Sequence, residues 1–337
     1  MHRDGADWQT GGGPSFLNQP ICISFEDLDR AGADVVVLGS PWDGTMGAPP
    51  GTRHAPAAIR SAEYTGAKGG DWTHAAVRVN PLDHLTIVDF GDAPVVPGSV
   101  EHSFEVIRHY VREISGRGAF PLIFGGDHAA TWPHVLGVTD IVGTGAIGVI
   151  HFDAHCDTWP LEDSEYTSHG SGMRQIVDGG LVKPEHFIQV GLRSSTDRET
   201  LAYMESIGMR SHWMAEIEDR GLDTVVDIAV SEAQDGTEAV FLTVDIDVCD
   251  PAHAPATGAP EPGGLTGAEL LRSVRRICHE TPVIGMDIVE VSPPYEAGNR
   301  ITAILAHRTA VEALTGLAMR RLGLPPRYVH PRPARGP

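Results

Sequence analysis

The chain has 337 residues, with 25 Lys and Arg against 45 Asp and Glu, a formal net charge of -20. That balance excludes a nucleic-acid partner, which needs a basic face, and favours approach of a cationic small molecule. No apolar run reaches the roughly 18 residues of a membrane span, the opening MHRDGADWQTGGG lacks the apolar core of a secretory signal, and Cys22, Cys156, Cys249 and Cys278 have no framework spacing, so a reducing, cytoplasmic setting is expected.

Residues 1–30 are punctuated by Gly and Pro and read as an N-terminal arm, ordered on assembly or partly mobile. The first core strand is expected over 34–39 (DVVVLG), followed by a helix over 56–64 with Pro56 in its first turn. A strand over 85–90 and a helix over 100–115 come next. The run over 120–124 (FPLIF) is a strand ending in GGDHA, with a helix over 129–137. The run over 147–152 (IGVIHF) ends in DAHCD and leads to a helix over 170–178. A strand over 186–191 and helices over 196–206 and 223–234 precede the strand 239–244 (AVFLTV), which ends in DIDVCDP. A helix over 266–280, a strand over 282–291 and a helix over 300–322 complete the pattern, before the Pro/Arg-rich tail 324–337. Near-continuously apolar strands alternating with helices predict a parallel α/β sheet covered on both faces. With no linker after about residue 30, residues 31–323 read as one catalytic domain.

Three of these strands end in acidic and imidazole side chains. In open α/β sheets the carboxyl ends of the strands line the ligand crevice, so His128, Asp153, His155, Asp157, Asp245 and Asp247 can converge. Singly, each reads as readily as a helix cap, a turn residue or a core histidine. Gathered together, four carboxylates and two imidazoles demand cations, because buried unpaired charge costs several kcal/mol per ion. Six ligands exceed what one ion needs; two divalent metals would use them all and activate water at neutral pH. The carboxylate-rich set favours Mn²⁺, with Ni²⁺, Co²⁺ or Fe²⁺ as alternatives, over a Cys/His structural zinc site. Asp250, before Pro251, reads as a turn residue. Asp89 and Asp287 are assigned to no metal, and His151 and His186 read as core histidines.

The three motifs in this order, followed by APATGAPEPGGLTG and GMDIVEVSPPYEAGNRITAILAHR, resemble the ureohydrolase family of arginases, agmatinases and guanidino-acid amidinohydrolases. The likeness runs over about residues 34–322 and implies the three-layer α/β/α arginase fold with a central, mainly parallel sheet. It implies that His128, Asp153, Asp157 and Asp245 hold one ion, and Asp153, His155, Asp245 and Asp247 the other, with Asp153 and Asp245 as bridges. It also implies that His169 shuttles the proton to the departing amine, that Glu290 pairs with the guanidinium, and that the chain forms a homo-oligomer, a trimer or hexamer, or a hetero-oligomer. The activity implied is hydrolysis of a small cationic guanidino compound, agmatine-, guanidino-acid- or guanidine/biguanide-like, to urea and an amine through a metal-bridging hydroxide.

Residues 40–56 (SPWDGTMGAPPGTRHAP) depart from the Arg-Pro-Gly-x-Arg segment of agmatinase-like relatives, and GGDHA replaces GGDHS. Met46 and His54 are therefore expected in the wall that reads the substrate tail. Two other readings stay open: a non-catalytic partner subunit of a ureohydrolase assembly, and an amide hydrolase of the same fold with a single zinc. Two metals per chain would exclude the second.

Overall fold

A computed structural model describes residues 15–62, 71–161 and 168–331. The first 14 residues of the arm expected over 1–30, the end of the helix expected over 56–64 and the last six residues of the tail lie outside them. Eight parallel strands form one sheet: β1 (Val35–Gly39), β2 (Ile87–Asp92), β3 (Phe120–Phe124), β4 (Ile147–Phe152), β5 (Phe187–Leu192), β6 (Arg210–Trp213), β7 (Ala239–Asp245) and β8 (Val283–Val289). Their order across the sheet is β2-β1-β3-β8-β7-β4-β5-β6. The helices are α1 (Phe25–Ala31), α2 (Ala55–Arg60), α3 (Val100–Ser115), α4 (Thr131–Val142), α5 (Gly172–Asp178), α6 (Arg198–Ile207), α7 (Met214–Arg220), α8 (Leu222–Ala233), α9 (Gly267–Glu280) and α10 (Ile301–Arg321).

Alternation along each strand divides the core into two layers. Val35, Val37, Leu122 and Phe124 face α2, α8, α9 and α10, whereas Val36, Leu38 and Ile123 face α1, α3, α4 and α5. Every residue of β1, β3 and β4 is buried, which accounts for their near-continuous apolar runs. Side-chain caps start several helices: Ser99 accepts the His102 N–H, Asp197 accepts that of Thr200, and Thr266 and Glu269 form a reciprocal capping box. The result is the three-layer α/β/α arginase-like fold expected from the sequence.

The described part of the N-terminal segment is packed. Phe16 is fully buried, its N–H donates to Asp89 Oδ2 at 2.8 Å, and Ile21 bridges Asp89. Helix α1, capped by Ser24, has no counterpart in the sequence reading, nor do β6 and α7. β6 reads Arg-Ser-His-Trp, a polar, partly exposed edge strand without the apolar run that betrays a central one.

Candidate metal centre

The chain reaches the far half of the sheet at β4 before it fills the middle, so β8 and then β7 lie between β3 and β4. The four central strands, β3, β8, β7 and β4, are those that carry Glu290 and the three acidic motifs at or just past their carboxyl ends. The turn after β3 must be glycine: a Cβ on Gly126 would lie 1.6 Å from the Trp42 carbonyl oxygen, so the Trp42 main chain rests directly on it. Two site residues hold left-handed backbone that ordinary side chains avoid, Asp157 at φ 49° and Glu290 at φ 60°; such strain persists where the surroundings dictate it.

His128 is fully buried, and its Nδ1 stands 2.9 Å from Asp153 Oδ2, 3.0 Å from Asp157 Oδ2 and 3.2 Å from Asp245 Oδ2. One N–H cannot serve three acceptors, and Nδ1 makes no well-directed hydrogen bond to any of them. Three carboxylate oxygens around one orphaned buried nitrogen fit a divalent cation at their centre, with oxygen and imidazole donors suited to Mn²⁺ or Ni²⁺. The other ring nitrogen lies 3.1 Å from Thr243 Oγ1, which aims Nδ1 inward.

Beside this group, His155 Nδ1 lies 3.1 Å from Asp247 Oδ2 and 3.5 Å from Asp153 Oδ1. Asp153 thus offers one oxygen to each side. Main-chain donors set the carboxylates: the His155 N–H reaches Asp153 Oδ1 at 2.6 Å, that of Asp247 reaches Asp245 Oδ1 at 2.8 Å, and that of Ala154 reaches Asp247 Oδ1 at 3.2 Å. All six residues singled out in the sequence therefore come together. Burial and the nearby charges of Asp247 and Asp153 push Asp245 well above the usual carboxylate range, and Asp247 is lifted to about 6 by burial and Asp153. Burial opposes charge on the imidazoles, but the carboxylates outweigh it, raising His128 well above its usual value and His155 to about 12.

His169 and Glu290 close one side. Glu290 Oε1 accepts the His128 N–H at 2.9 Å and lies 3.6 Å from His169 Nδ1. Burial lowers the His169 imidazole, yet Glu290 more than offsets it and lifts it to about 9. Met46 stands at the wall: a Cβ placed on Gly258 would meet its Cε at 2.5 Å and Glu290 Oε2 at 3.8 Å. His54 is exposed before α2.

Several residues around the site were assigned no role there from the sequence. His151 is a core histidine, as expected, but its Nε2 lies 2.7 Å from Asp153 Oδ2. Asp287 accepts from Thr131 Oγ1 and contacts His134 Nδ1, both at 2.8 Å, and Asp89 pairs with Arg60. Asp250 accepts the N–H groups of Ala252 and Gly263 at its turn. Arg193 Nη2 donates to the carbonyls of Asp247 at 2.7 Å and Glu261 at 2.6 Å, tying the DIDVCDP turn to the following loop. A Cβ on Gly264 would lie 2.5 Å from that nitrogen. The one sequence signal for such residues was a polar side chain interrupting an apolar run, as at Thr243 and Asp287.

Residues 33–316 match the Arginase family. The chain is 33% identical over 306 residues to guanidinopropionase of Pseudomonas aeruginosa, covering 90% of this chain and 92% of the relative. It is 35% identical over 296 residues to an agmatinase of Chromobacterium violaceum, covering 85% and 84%. A hypothetical agmatinase from Burkholderia thailandensis superposes with a TM-score of 0.81 at 32% identity, over 94% of this chain and 93% of that one. Fold, ordered motifs and full-length likeness agree, and the chain belongs to the Arginase family, on its agmatinase-like branch.

Proposed function

We propose that the chain is an amidinohydrolase that adds water across a C–N bond of a small cationic guanidino compound, releasing urea and an amine. The observation that carries this reading is the convergence of six acidic and imidazole ligand groups beside Glu290 and His169, at the ends of four adjacent strands. His128, Asp153, Asp157 and Asp245 would hold one divalent ion and Asp153, His155, Asp245 and Asp247 the second, Mn²⁺ by preference and Ni²⁺ as the alternative. When bound, such a pair supplies a nucleophile from water at neutral pH. Glu290 orients the guanidinium through charge-assisted hydrogen bonds from its NH₂ groups. His169, partly exposed and beside Glu290, holds a proton that the departing amine needs. The relatives' names support a guanidino acid or a decarboxylated arginine derivative as the substrate class, with a compact guanidine or biguanide as the alternative. A cytoplasmic homo-oligomer built on one catalytic domain over 31–323 completes the proposal; no helix among the described residues is long and apolar enough to cross a membrane.

The test is urea release from guanidine, guanidinobutyrate, guanidinopropionate, agmatine and arginine by protein loaded separately with Mn²⁺ and Ni²⁺. One compound should stand out, and His169→Asn should slow it by about 10²–10⁴-fold with metal content intact. Two bound ions and no urea from any compound would refute the reading.

A further inference from the structure

Residues 40–56 were expected to do one thing, to shape the pocket around the substrate tail. Their first half does something else. Thr45 sits between the first acidic motif and the His169 turn and is bonded to both. Its hydroxyl donates to Asp127 Oδ2 at 2.6 Å and its N–H donates to the same oxygen at 3.0 Å. Trp42 Nε1 donates to that hydroxyl at 3.0 Å, so both the donor and the acceptor side of the rotor are engaged and its direction is set. Asp127 is fully buried, and its own N–H returns to the Trp42 carbonyl at 2.8 Å, making the contact reciprocal. On the opposite side, the Thr45 carbonyl accepts the main-chain N–H of His169 at 3.1 Å. His169 opens a short helical turn, where an N–H has no partner inside the helix and must find one outside. Two residues on, Gly47 lies against the ring: a Cβ there would stand 3.1 Å from His169 Nε2.

We propose that Thr45 is a positioning residue for His169: it straps the His169 turn to Asp127, the neighbour of His128, and so sets the His169 ring beside Glu290. The inference rests on the amidinohydrolase reading, in which His169 carries the proton. It splits residues 40–56 by role. Met46 and Ala48 border the gap beside Glu290 and affect which tail fits, whereas Thr45 affects turnover of every substrate alike. The strap is made of a carbonyl, an amide and one hydroxyl, all engaged with Trp42, Asp127 and His169 and none assigned to the guanidinium. Its loss therefore appears in the chemical step and leaves binding nearly unaltered.

The experiment compares wild type, Thr45→Val, Thr45→Ser and His169→Asn with the double variant Thr45→Val/His169→Asn, all metal-loaded, on the best substrate and one of different tail length. Thr45→Val should lower kcat about 10- to 100-fold on both substrates, the loss that a misplacement near 1 Å brings, with KM and metal content within about twofold of wild type. Thr45→Ser, which keeps the hydroxyl, should restore most of it. In the His169→Asn background Thr45→Val should cost nothing further, because a residue that acts through His169 has nothing left to position. Unchanged kcat in Thr45→Val, or losses that multiply in the double variant, overturns the proposal. If Thr45→Val does not fold, Thr45→Ala removes the same hydroxyl without new bulk and is read by the same criteria. If wild type releases no urea from any guanidino compound, the functional reading fails by itself, and crystal structures of wild type and the Thr45 variant still decide the strap: a His169 ring that keeps its place beside Glu290 refutes it.

Discussion

Acid should destabilise this protein through one buried histidine that is not among the metal ligands. His307, on α10, is 2% exposed, with its ring against Phe16 at 4.9 Å and Trp72 at 5.7 Å between centroids. Its Nδ1 lies 3.0 Å from the Ile59 carbonyl, to which it donates, and its Nε2 is buried without a partner, so a second proton there has nowhere to bond. Burial, helped by the charge of Arg308 and only partly opposed by the Ile59 carbonyl, lowers this imidazole from 6.5 to about 4. Between those values the unfolded chain binds the proton and the folded chain does not, so stability falls as pH falls. The contribution is fully present above about pH 7; about 2 kcal/mol is lost by pH 5 and about 3 kcal/mol by pH 4. His307→Asn keeps a donor for the Ile59 carbonyl but has no group that ionises in this range. The variant should be weaker at pH 7.5, having lost ring packing, yet its urea-unfolding free energy should fall about 2 kcal/mol less than wild type between pH 7.5 and 5. Equal losses in the two proteins would show that His307 is not held neutral.

Asp153→Ala or Asp245→Ala removes a carboxylate proposed to bridge the two ions, and should abolish two-ion occupancy and urea release together; elemental analysis showing two ions in a fully active variant would contradict the bridging assignment. Glu290→Gln should weaken every guanidino substrate to a similar degree, since the pairing it loses is common to all. Met46→Ala should instead redistribute kcat/KM among substrates with different tails by the roughly 1–3 kcal/mol that a pocket wall commands. A selective loss from Glu290→Gln, or a uniform one from Met46→Ala, would reverse the two roles.

The strands and the acidic clusters at their ends are legible in the amino-acid order because their cause is local. A strand buried on both faces is apolar along most of its length, as in FPLIF and IGVIHF, and ligand side chains stand where it emerges. Helices α3 and α9 are legible from their amphipathic periodicity, whereas α4 runs to Val142, five residues past its expected end, because most of its residues are buried and it shows little such period. What the order of residues does not contain is which strand lies next to which. Only the tertiary fold inserts β8 and β7 between β3 and β4. That insertion sets His128, Asp153 and Asp245 around one point, since Asp245 can meet two residues so far before it in the chain only when β7 is in place between β8 and β4. Polar elements at the margins, such as β6 and the packed segment before β1, carry no hydrophobic period and are defined by what they touch. The contacts that hold the site's parts in place run largely through main-chain groups. Thr45 holds His169 by a carbonyl, and Arg193 holds the Asp247 turn by carbonyls. Every residue but proline carries both a main-chain N–H and a carbonyl, and proline carries the carbonyl, so no side-chain pattern can announce such bonds; long-range approach alone decides them.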